Sequence, residues 1–317
     1  MQSMNRREFV VAAASLAFAP RAFAESLGRG PIALVTADLE SRVVAVDLST
    51  AKVIRRVETL ASPRGIETVG TKAVVTHWDV GAVSVVDGGT LSVKHVLHGF
   101  GAPRYIAGHP DGRHAYVTDA NSGDVVVVDV LRGRVVGREH VGARARHIAI
   151  DRSGRTLWIA LGARAEEVAV VDVSRRTAPR LVRRFRPPFL AHDVGLAPDG
   201  RHAWVSSGDR WELAVYDLRT GRILAKPAGD QPPQHVTFAG GLAYVASGWS
   251  GTLRVHHVDG REIRTNAVPI GSYNVQYALG RVVTPSLGRG DLTVLDDAGR
   301  VLYVKAVARS SHDACVL

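Results

Sequence analysis

Cysteine is almost absent from this chain of 317 residues, which contains only Cys315. A single cysteine excludes an intramolecular disulfide and a metal site built from several thiolates. The apolar C-terminal run around Cys315 predicts that it is a small, buried, hydrophobic residue. The CxxCH motif of attached haem is missing as well, and so are local HExxH and HxH patterns. Histidine ligands for a metal or a haem would therefore have to come from separate strands.

Aromatic residues and clustered basic residues are also scarce. Aromatic residues make up 6% of the chain, and no group of them predicts a platform on which nucleic-acid bases would stack. The formal charge is +10, but the arginines that carry most of it are scattered rather than consecutive. This distribution favours a solvated basic surface and leaves the binding of anionic partners open. Nucleic acid is the less favoured of these partners, and no glycine-rich loop for phosphate is present.

Long apolar runs are missing except near the N-terminus, where residues 10–19 are apolar. This run is too short to anchor the chain across a bilayer, so we expect no membrane span in the mature protein. An arginine pair at 6–7 precedes the run, and the tripeptide AFA at 22–24 fits a cleavage site. Residues 1–24 therefore resemble a twin-arginine export signal, with an ordinary secretory signal as the alternative. We expect the mature chain, 25–317, to be periplasmic or secreted.

One β-rich repeat dominates the rest of the sequence. Residues 115–129 read AYVTDANSGDVVVVD, in which a short apolar strand, a polar turn and a β-branched strand follow one another. Weaker copies recur along the chain, at intervals of about 38 to 45 residues that are typical of propeller blades. Seven segments align directly before the AYVT-like strands: 64–67, 104–107, 146–149, 191–194, 234–237, 273–276 and 311–314.

The two ends of the chain complement each other. The N-terminal part predicts three strands, at 32–36, 43–47 and 53–57, and lacks an innermost strand, whereas residues 312–317 predict an innermost strand alone. Pairing them would complete a seventh blade and hide exposed sheet edges. We therefore predict an all-β, seven-bladed β-propeller in which a C-terminal innermost strand and three N-terminal strands close the last blade. Residues 25–317 would form this single domain, and we expect a monomer.

The amino-acid sequence of the central repeat resembles that of a known family. Tyr116-Val117-Thr118-Asp119, followed by Ser122-Gly123 and a valine-rich run to Asp129, is similar to the YVTN repeat of YncE-like periplasmic propellers. The resemblance extends from about residue 31 to the end of the chain. It implies the propeller architecture, but it does not imply one activity, because the family is a scaffold with many uses.

Two sets of loops should open on the same face of such a propeller. We call the loops that lead into the innermost strands the inner loops, and those between the second and third strands the rim loops. The inner loops supply the candidate binding residues Arg64, Arg104, Tyr105, Arg146, His147, His192, His235, Asn274 and His312. The rim loops supply the candidates His77, Trp78, Trp211 and Trp249.

Histidine occupies the same aligned position in four of the seven repeats, as His147, His192, His235 and His312. Because the same register implies the same side-chain direction, these imidazoles should surround the channel mouth at one level. They could bond neighbouring blades as purely structural residues, or form an anion pocket together with the arginines. They could also bind copper or zinc, or ligate a haem, because imidazole is a good ligand for these metals.

Three functions follow from these alternatives. The first is a non-catalytic module, without a cofactor, that binds a small anionic ligand or a protein; Arg64, Arg104 and Arg146 would supply charge-assisted hydrogen bonds. The second is a redox protein that uses the four histidines to hold a metal or haem. The third is a lactonase-like hydrolase, because seven-bladed lactonases share this architecture. The sequence Ser311-His312-Asp313 contains triad residue types, but consecutive strand residues face opposite sides and cannot form the relay.

Overall fold

The structure is a computed structural model that describes residues 30–232 and 234–317. The predicted export signal at 1–24 lies outside the described residues. Within them, 28 strands form seven four-stranded antiparallel sheets, arranged as the predicted all-β, seven-bladed β-propeller. The only helical element in these ranges is the short 3-10 turn Asp38–Glu40, so no helix there is long and apolar enough to cross a membrane.

Each blade runs from an innermost strand at the channel to an outermost strand at the periphery. Blade 1 comprises β28 (Ala314–Val316), β1 (Ile32–Ala37), β2 (Arg42–Asp47) and β3 (Lys52–Glu58). Blade 2 comprises β4 (Pro63–Val69), β5 (Lys72–His77), β6 (Ala82–Asp87) and β7 (Ser92–His98). Blade 3 comprises β8 (Pro103–Gly108), β9 (His114–Asp119), β10 (Asp124–Asp129) and β11 (Arg134–His140). Blade 4 comprises β12 (Ile148–Ile150), β13 (Thr156–Ala160), β14 (Val168–Asp172) and β15 (Arg180–Phe185).

The remaining blades follow the same plan. Blade 5 comprises β16 (Ala191–Leu196), β17 (His202–Ser207), β18 (Leu213–Asp217) and β19 (Ile223–Ala225). Blade 6 comprises β20 (Gln234–Ala239), β21 (Leu242–Ser247), β22 (Thr252–His257) and β23 (Glu262–Ala267). Blade 7 comprises β24 (Gln276–Ala278), β25 (Arg281–Pro285), β26 (Asp291–Asp296) and β27 (Val301–Ala306).

Blade 1 joins the two ends of the chain and closes the ring, as predicted. In the antiparallel register between β1 and β28, Leu34 lies opposite Cys315. Ile32 and Leu317 extend this pairing through two backbone hydrogen bonds of 2.9 and 2.8 Å. Cys315 is buried, as its apolar surroundings indicate. The C-terminal strand therefore belongs to the core rather than to a loose tail.

The third strand of blade 3 is apolar between its terminal aspartates because both of its faces are buried between blades. On β10, Val126 and Val128 pack with side chains of blade 2, whereas Val125 and Val127 pack with side chains of blade 4. Successive strand residues point to opposite faces, so a sheet that is covered on both sides needs apolar residues at every position. This arrangement explains the uninterrupted valine run of residues 125–128.

Buried hydroxyl groups link each of several blades to the inner loop of the next. Thr118 on β9 donates a hydrogen bond to the carbonyl of Arg146 at 2.6 Å. A buried hydroxyl needs such a partner, and the bond fixes the loop that accepts it. The same link joins residues 28 positions apart in three further pairs: Thr36 to Arg64, Thr76 to Arg104 and Ser206 to Gln234. The fold thus positions the backbone from which the candidate site residues project.

Candidate metal centre at the channel mouth

Three histidine side chains converge where the inner loops of blades 4, 5 and 6 reach the central channel. His147 directly precedes β12, whereas His192 and His235 are the second residues of β16 and β20. One ligand atom of each imidazole lies within 4.8 Å of the others, and all three side chains are buried. Adjacent blades present the same strand position towards the axis, which is why residues far apart in sequence meet. We call these residues the three-His group.

The hydrogen bonds of the group fix the tautomer of His192 but leave that of His235 open. His192 Nδ1 lies 2.7 Å from the carbonyl oxygen of Ala163, so Nδ1 donates and Nε2 keeps its lone pair. That Nε2 lies 3.2 Å from His235 Nε2, while His235 Nδ1 lies 3.5 Å from a carboxylate oxygen of Asp193. With its proton on Nε2, His235 donates to His192 Nε2; with its proton on Nδ1, the two Nε2 lone pairs face each other. In the second case, a cation between them would relieve their repulsion.

His147 completes the group, and its ring nitrogens make no hydrogen bond of ordinary geometry, although the His192 backbone lies near enough to raise its pKa against the effect of burial. Neither Nδ1 nor Nε2 has a partner within the described residues, although the side chain is only 1% exposed. Buried polar groups normally have partners, and leaving one unsatisfied costs about 1–3 kcal/mol. An imidazole that served only to link neighbouring blades would form a hydrogen bond with at least one of those blades. His147 is therefore the imidazole of the group with the fewest polar contacts among the described residues.

Three histidines at the channel mouth, His147, His192 and His312, have pKa values that favour the neutral imidazole. Burial lowers the pKa of His147 well below its usual 6.5, and the neighbouring His192 and His235 lower it further. Burial is also the main reason that the pKa values of His192 and His312 lie well below 6.5, and the positive charge of Arg146 adds to it. Neutral imidazole is the form that binds metals. His147 and His192 are therefore in the form that can bind a cation without first releasing protons.

The fourth aligned histidine does not belong to the three-His group. The side-chain nitrogen of Asn274 lies 3.2 Å from His312 Nδ1 and donates to the His312 carbonyl at 2.7 Å. Tyr105 occupies the space between, with its ring centroid 4.1 Å from that of His147 and 6.5 Å from that of His312. The predicted circle of imidazoles is thus divided into three that converge and one that pairs with an amide.

The inner-loop arginines form a cationic arc next to this group. The guanidinium groups of Arg64 and Arg104 lie 5.8 and 4.6 Å from the ring centre of Trp78, and that of Arg146 lies 5.9 Å from the ring centre of Tyr105. Burial lowers the pKa of Arg104, and the charges of Arg146 and Arg64 lower it further. The buried Nε atoms of Arg104 and Arg146 have no partner in the part of the chain that the structure describes. The arc therefore carries positive charge that an anion could offset.

The remaining rim-loop candidates divide into exposed and internal residues. Trp211 and Trp249 are 64% and 55% exposed, and together with His192 they line one cleft of about 400 Å³. His77 is fully buried, and its ring nitrogens lie 3.1 Å from the Ala61 carbonyl and 2.8 Å from the Ser84 hydroxyl. Those partners place His77 inside blade 2, where it supports the loop rather than the channel wall.

The channel contains carboxyl groups that sequence reasoning missed. A cavity of about 250 Å³ is lined by His147 and His235 and also by Glu67, Asp193 and Asp313. Burial raises the pKa of Glu67 to about 7, although hydrogen bonds from the Thr68 amide and the Gln276 side chain oppose the shift. The one signal in the sequence was that acidic residues interrupt otherwise apolar innermost strands.

Two of these carboxylates bind backbone amides across blade boundaries. Asp193 accepts a hydrogen bond from the Val236 amide at 3.0 Å, and Asp313 accepts one from the Ile66 amide at 3.2 Å. Burial raises the pKa of Asp313 well above its usual value. Because Asp313 is engaged with the backbone, it does not orient His312 as the acid of a hydrolase triad would.

Comparison with known proteins informs the fold. Neither protein-family models nor curated proteins provide a match to this chain. Among solved structures, hydrazine synthase of Kuenenia stuttgartiensis aligns with a TM-score of 0.68 at 17% identity, over 80% of this chain and 89% of that one. A functionally unknown protein from Desulfotomaculum acetoxidans DSM 771 aligns with a TM-score of 0.77 at 13% identity, over 90% of this chain and 98% of that one. At these identities, the chain is similar to both proteins in its fold alone.

Proposed function

We propose that this chain is an exported β-propeller of the YVTN type that binds one divalent transition-metal ion, such as zinc or copper, through the three-His group. The observation that carries the proposal is the convergence of three buried imidazoles within 4.8 Å, one of which has no hydrogen-bond partner within the described residues. In a tetrahedral zinc site, Zn–N bonds of about 2.0–2.1 Å place two ligand nitrogens about 3.3 Å apart. The Nε2 atoms of His192 and His235 are 3.2 Å apart.

The surroundings of the ligands also support a metal site. Metal-binding histidines usually donate their second ring nitrogen to a carbonyl or a carboxylate, which fixes the tautomer. The Ala163 carbonyl has this position beside His192, and a carboxylate oxygen of Asp193 lies 3.5 Å from His235 Nδ1. Three protein ligands leave a fourth position for water or another ligand. Haem is not part of the proposal, because the three imidazoles converge on one point rather than facing a flat cofactor.

A second candidate function is the binding of a small anion by the arginine arc. The specific observation in its favour is that three guanidinium groups lie close together: burial lowers the pKa of Arg104, and the charges of Arg146 and Arg64 lower it further. A carboxylate or oxoanion would offset this repulsion and could occupy the fourth position of the metal at the same time. A protein partner with an acidic side chain would use the same chemistry.

Metal binding is tested directly on the mature chain, 25–317. The protein is stripped with a chelator and titrated with Zn²⁺ by calorimetry, and Co²⁺ is added separately to record the visible absorption of a tetrahedral site. We expect one ion per chain and loss of binding in His147→Ala. His98→Ala is the control, because His98 is an exposed residue of the outermost strand β7. Equal zinc affinity in His147→Ala and the wild type would refute the proposal.

Export is tested in cells with the full chain. Replacing the arginine pair at 6–7 by lysines should retain the precursor in the cytoplasm, because the twin-arginine pathway depends on that pair. Retention of the wild-type precursor, or unchanged export of the variant, would count against a twin-arginine route. Continued export of the variant would favour an ordinary secretory signal instead.

A further inference from the structure

Aromatic side chains occupy the same position in four successive blades. Each is the third residue of the second strand, in blades 3 to 6: Tyr116, Trp158, Trp204 and Tyr244. All but Trp158 donate a hydrogen bond to a carbonyl in the turn between the third and fourth strands of the next blade. The acceptors are, in chain order, Arg176, Val258 and Asp297, at 3.2, 3.0 and 2.6 Å. This position therefore normally links two blades.

Trp158 is the exception, and it faces a second donor that also lacks an acceptor. Its side chain is 2% exposed, and its indole nitrogen has no hydrogen-bond partner among the described residues. The same is true of the hydroxyl of Tyr216, on β18 of the next blade, whose side chain is 4% exposed. Buried indole and phenol groups usually have partners. Burial raises the pKa of Tyr216 to about 12, so its hydroxyl keeps the proton and can donate.

Both residues line a cleft of about 340 Å³ between the outer strands of blades 4 and 5. The Trp158 and Tyr216 rings lie with their centroids 5.9 Å apart, and the ring of Phe185 lies 5.0 and 5.5 Å from them. Pro188 and Ile223 add apolar walls. The volume falls within the range of small-molecule pockets, and three aromatic rings favour an apolar, flat ligand.

The charges around this cleft favour an anion. Arg183 lines it, lies with its guanidinium 5.2 Å from the ring centre of Phe185, and forms no ion pair among the described residues. It reaches towards blade 5, since a methyl group on Gly221 would lie 3.7 Å from its Nη2. No acidic side chain is among the described residues that line the cleft. A carboxylate would accept hydrogen bonds from donors that have no acceptor in the protein.

We propose that this cleft binds a small aromatic carboxylate. Its ring packs against the aromatic walls, its oxygens accept hydrogen bonds from Trp158 and Tyr216, and Arg183 offsets its charge. The described residues that line the cleft include no member of the three-His group. The site is therefore separate from the proposed metal centre and does not depend on it.

The test uses the mature chain, stripped of metal with a chelator, and benzoate as the probe in calorimetry. Tyr216→Phe removes only the hydroxyl and should weaken benzoate binding about fivefold, without lowering the melting temperature. Arg183→Gln should weaken it about tenfold. Tyr244→Phe is the matched control, because its hydroxyl already donates to the Asp297 carbonyl. This control should lower the melting temperature and leave the benzoate affinity unchanged.

Three results would overturn the proposal. The first is an absence of benzoate binding to the wild type, which would mean that the two donors contact water only. The second is wild-type affinity in both Tyr216→Phe and Arg183→Gln, which would place benzoate elsewhere. The third is equal binding of benzyl alcohol, which has the ring without the charge. Zinc affinity should be unchanged in Tyr216→Phe, so the metal proposal and this one can fail separately.

Discussion

The hydroxyl of Thr118 donates a hydrogen bond to the backbone carbonyl of Arg146 at 2.6 Å. Thr118 lies near the end of the second strand of blade 3, whereas Arg146 lies in the inner loop of blade 4, directly before His147. The bond crosses a blade boundary and holds the loop that carries the unpartnered imidazole. The position of the proposed ligand is therefore set in part by a neighbouring blade, together with the backbone hydrogen bonds that Arg146 and His147 make with Ala160 of their own blade.

Replacing Thr118 by Val should lower both stability and metal affinity. The Arg146 carbonyl would lose its donor inside the protein, which we expect to reduce the free energy of unfolding by about 1–2 kcal/mol. Because the same loop carries His147, the zinc affinity should fall as well. Chemical denaturation and zinc calorimetry measure the two effects. Thr118→Ser keeps the hydroxyl and should preserve zinc affinity. Normal zinc affinity in Thr118→Val would show that this hydrogen bond does not position His147.

Zinc binding should resist mild acid. The pKa values of His147 and His192 in the folded protein lie well below 6.5, mainly because of burial. Protons compete with the metal only when the pH falls to the pKa of the ligand, whereas for an ordinary histidine this competition begins near pH 6.5. We therefore expect the zinc affinity to change little between about pH 7.5 and 6. A tenfold loss over that interval, measured by calorimetry, would contradict this expectation.

Glu67 should make the protein less stable as the pH rises. Burial raises its pKa to about 7 from 4.5, so the folded protein retains a proton that the unfolded chain has already released. Stability from this group is complete below the unfolded pKa and is lost as the pH rises through the folded pKa. The free energy of unfolding of Glu67→Gln relative to the wild type should therefore rise by about 3 kcal/mol between pH 4.5 and 8. A stability difference that is constant with pH, measured by denaturation, would refute this assignment.

Closure of the ring should depend on the last strand. Val316 lies opposite Ala33 in the register of blade 1 and is 3% exposed. Val316→Asp would bury an unpaired charge, and we expect it to reduce the free energy of unfolding by about 3 kcal/mol or more. Val304→Asp is the control, because Val304 is 48% exposed on the outermost strand of blade 7. Equal melting temperatures for the two variants would be inconsistent with a core role for the C-terminal strand.

The repeat pattern predicted the fold because the same short-range sequence features occur seven times along the chain. Turn residues and β-branched runs define each hairpin, and the regular spacing leaves few architectures that bury every strand. Even the closure of blade 1 could be predicted, because the strand missing at one end is present at the other. The buried hydroxyl links were not predicted. Their partners lie 28 residues away in another blade, and serine or threonine after an apolar strand is common.

The sequence by itself determined the propeller and the set of inner-loop residues that face its channel, because both follow from strand period and repeat register. Only the tertiary structure decided which of these side chains meet. Four aligned histidines divide into three that converge and one, His312, that pairs with Asn274. The reason is that distances between blades depend on ring closure and on the neighbouring side chains that fill the channel. Tyr105 and the buried carboxyl groups are such neighbours, and no local pattern in the sequence encodes their packing.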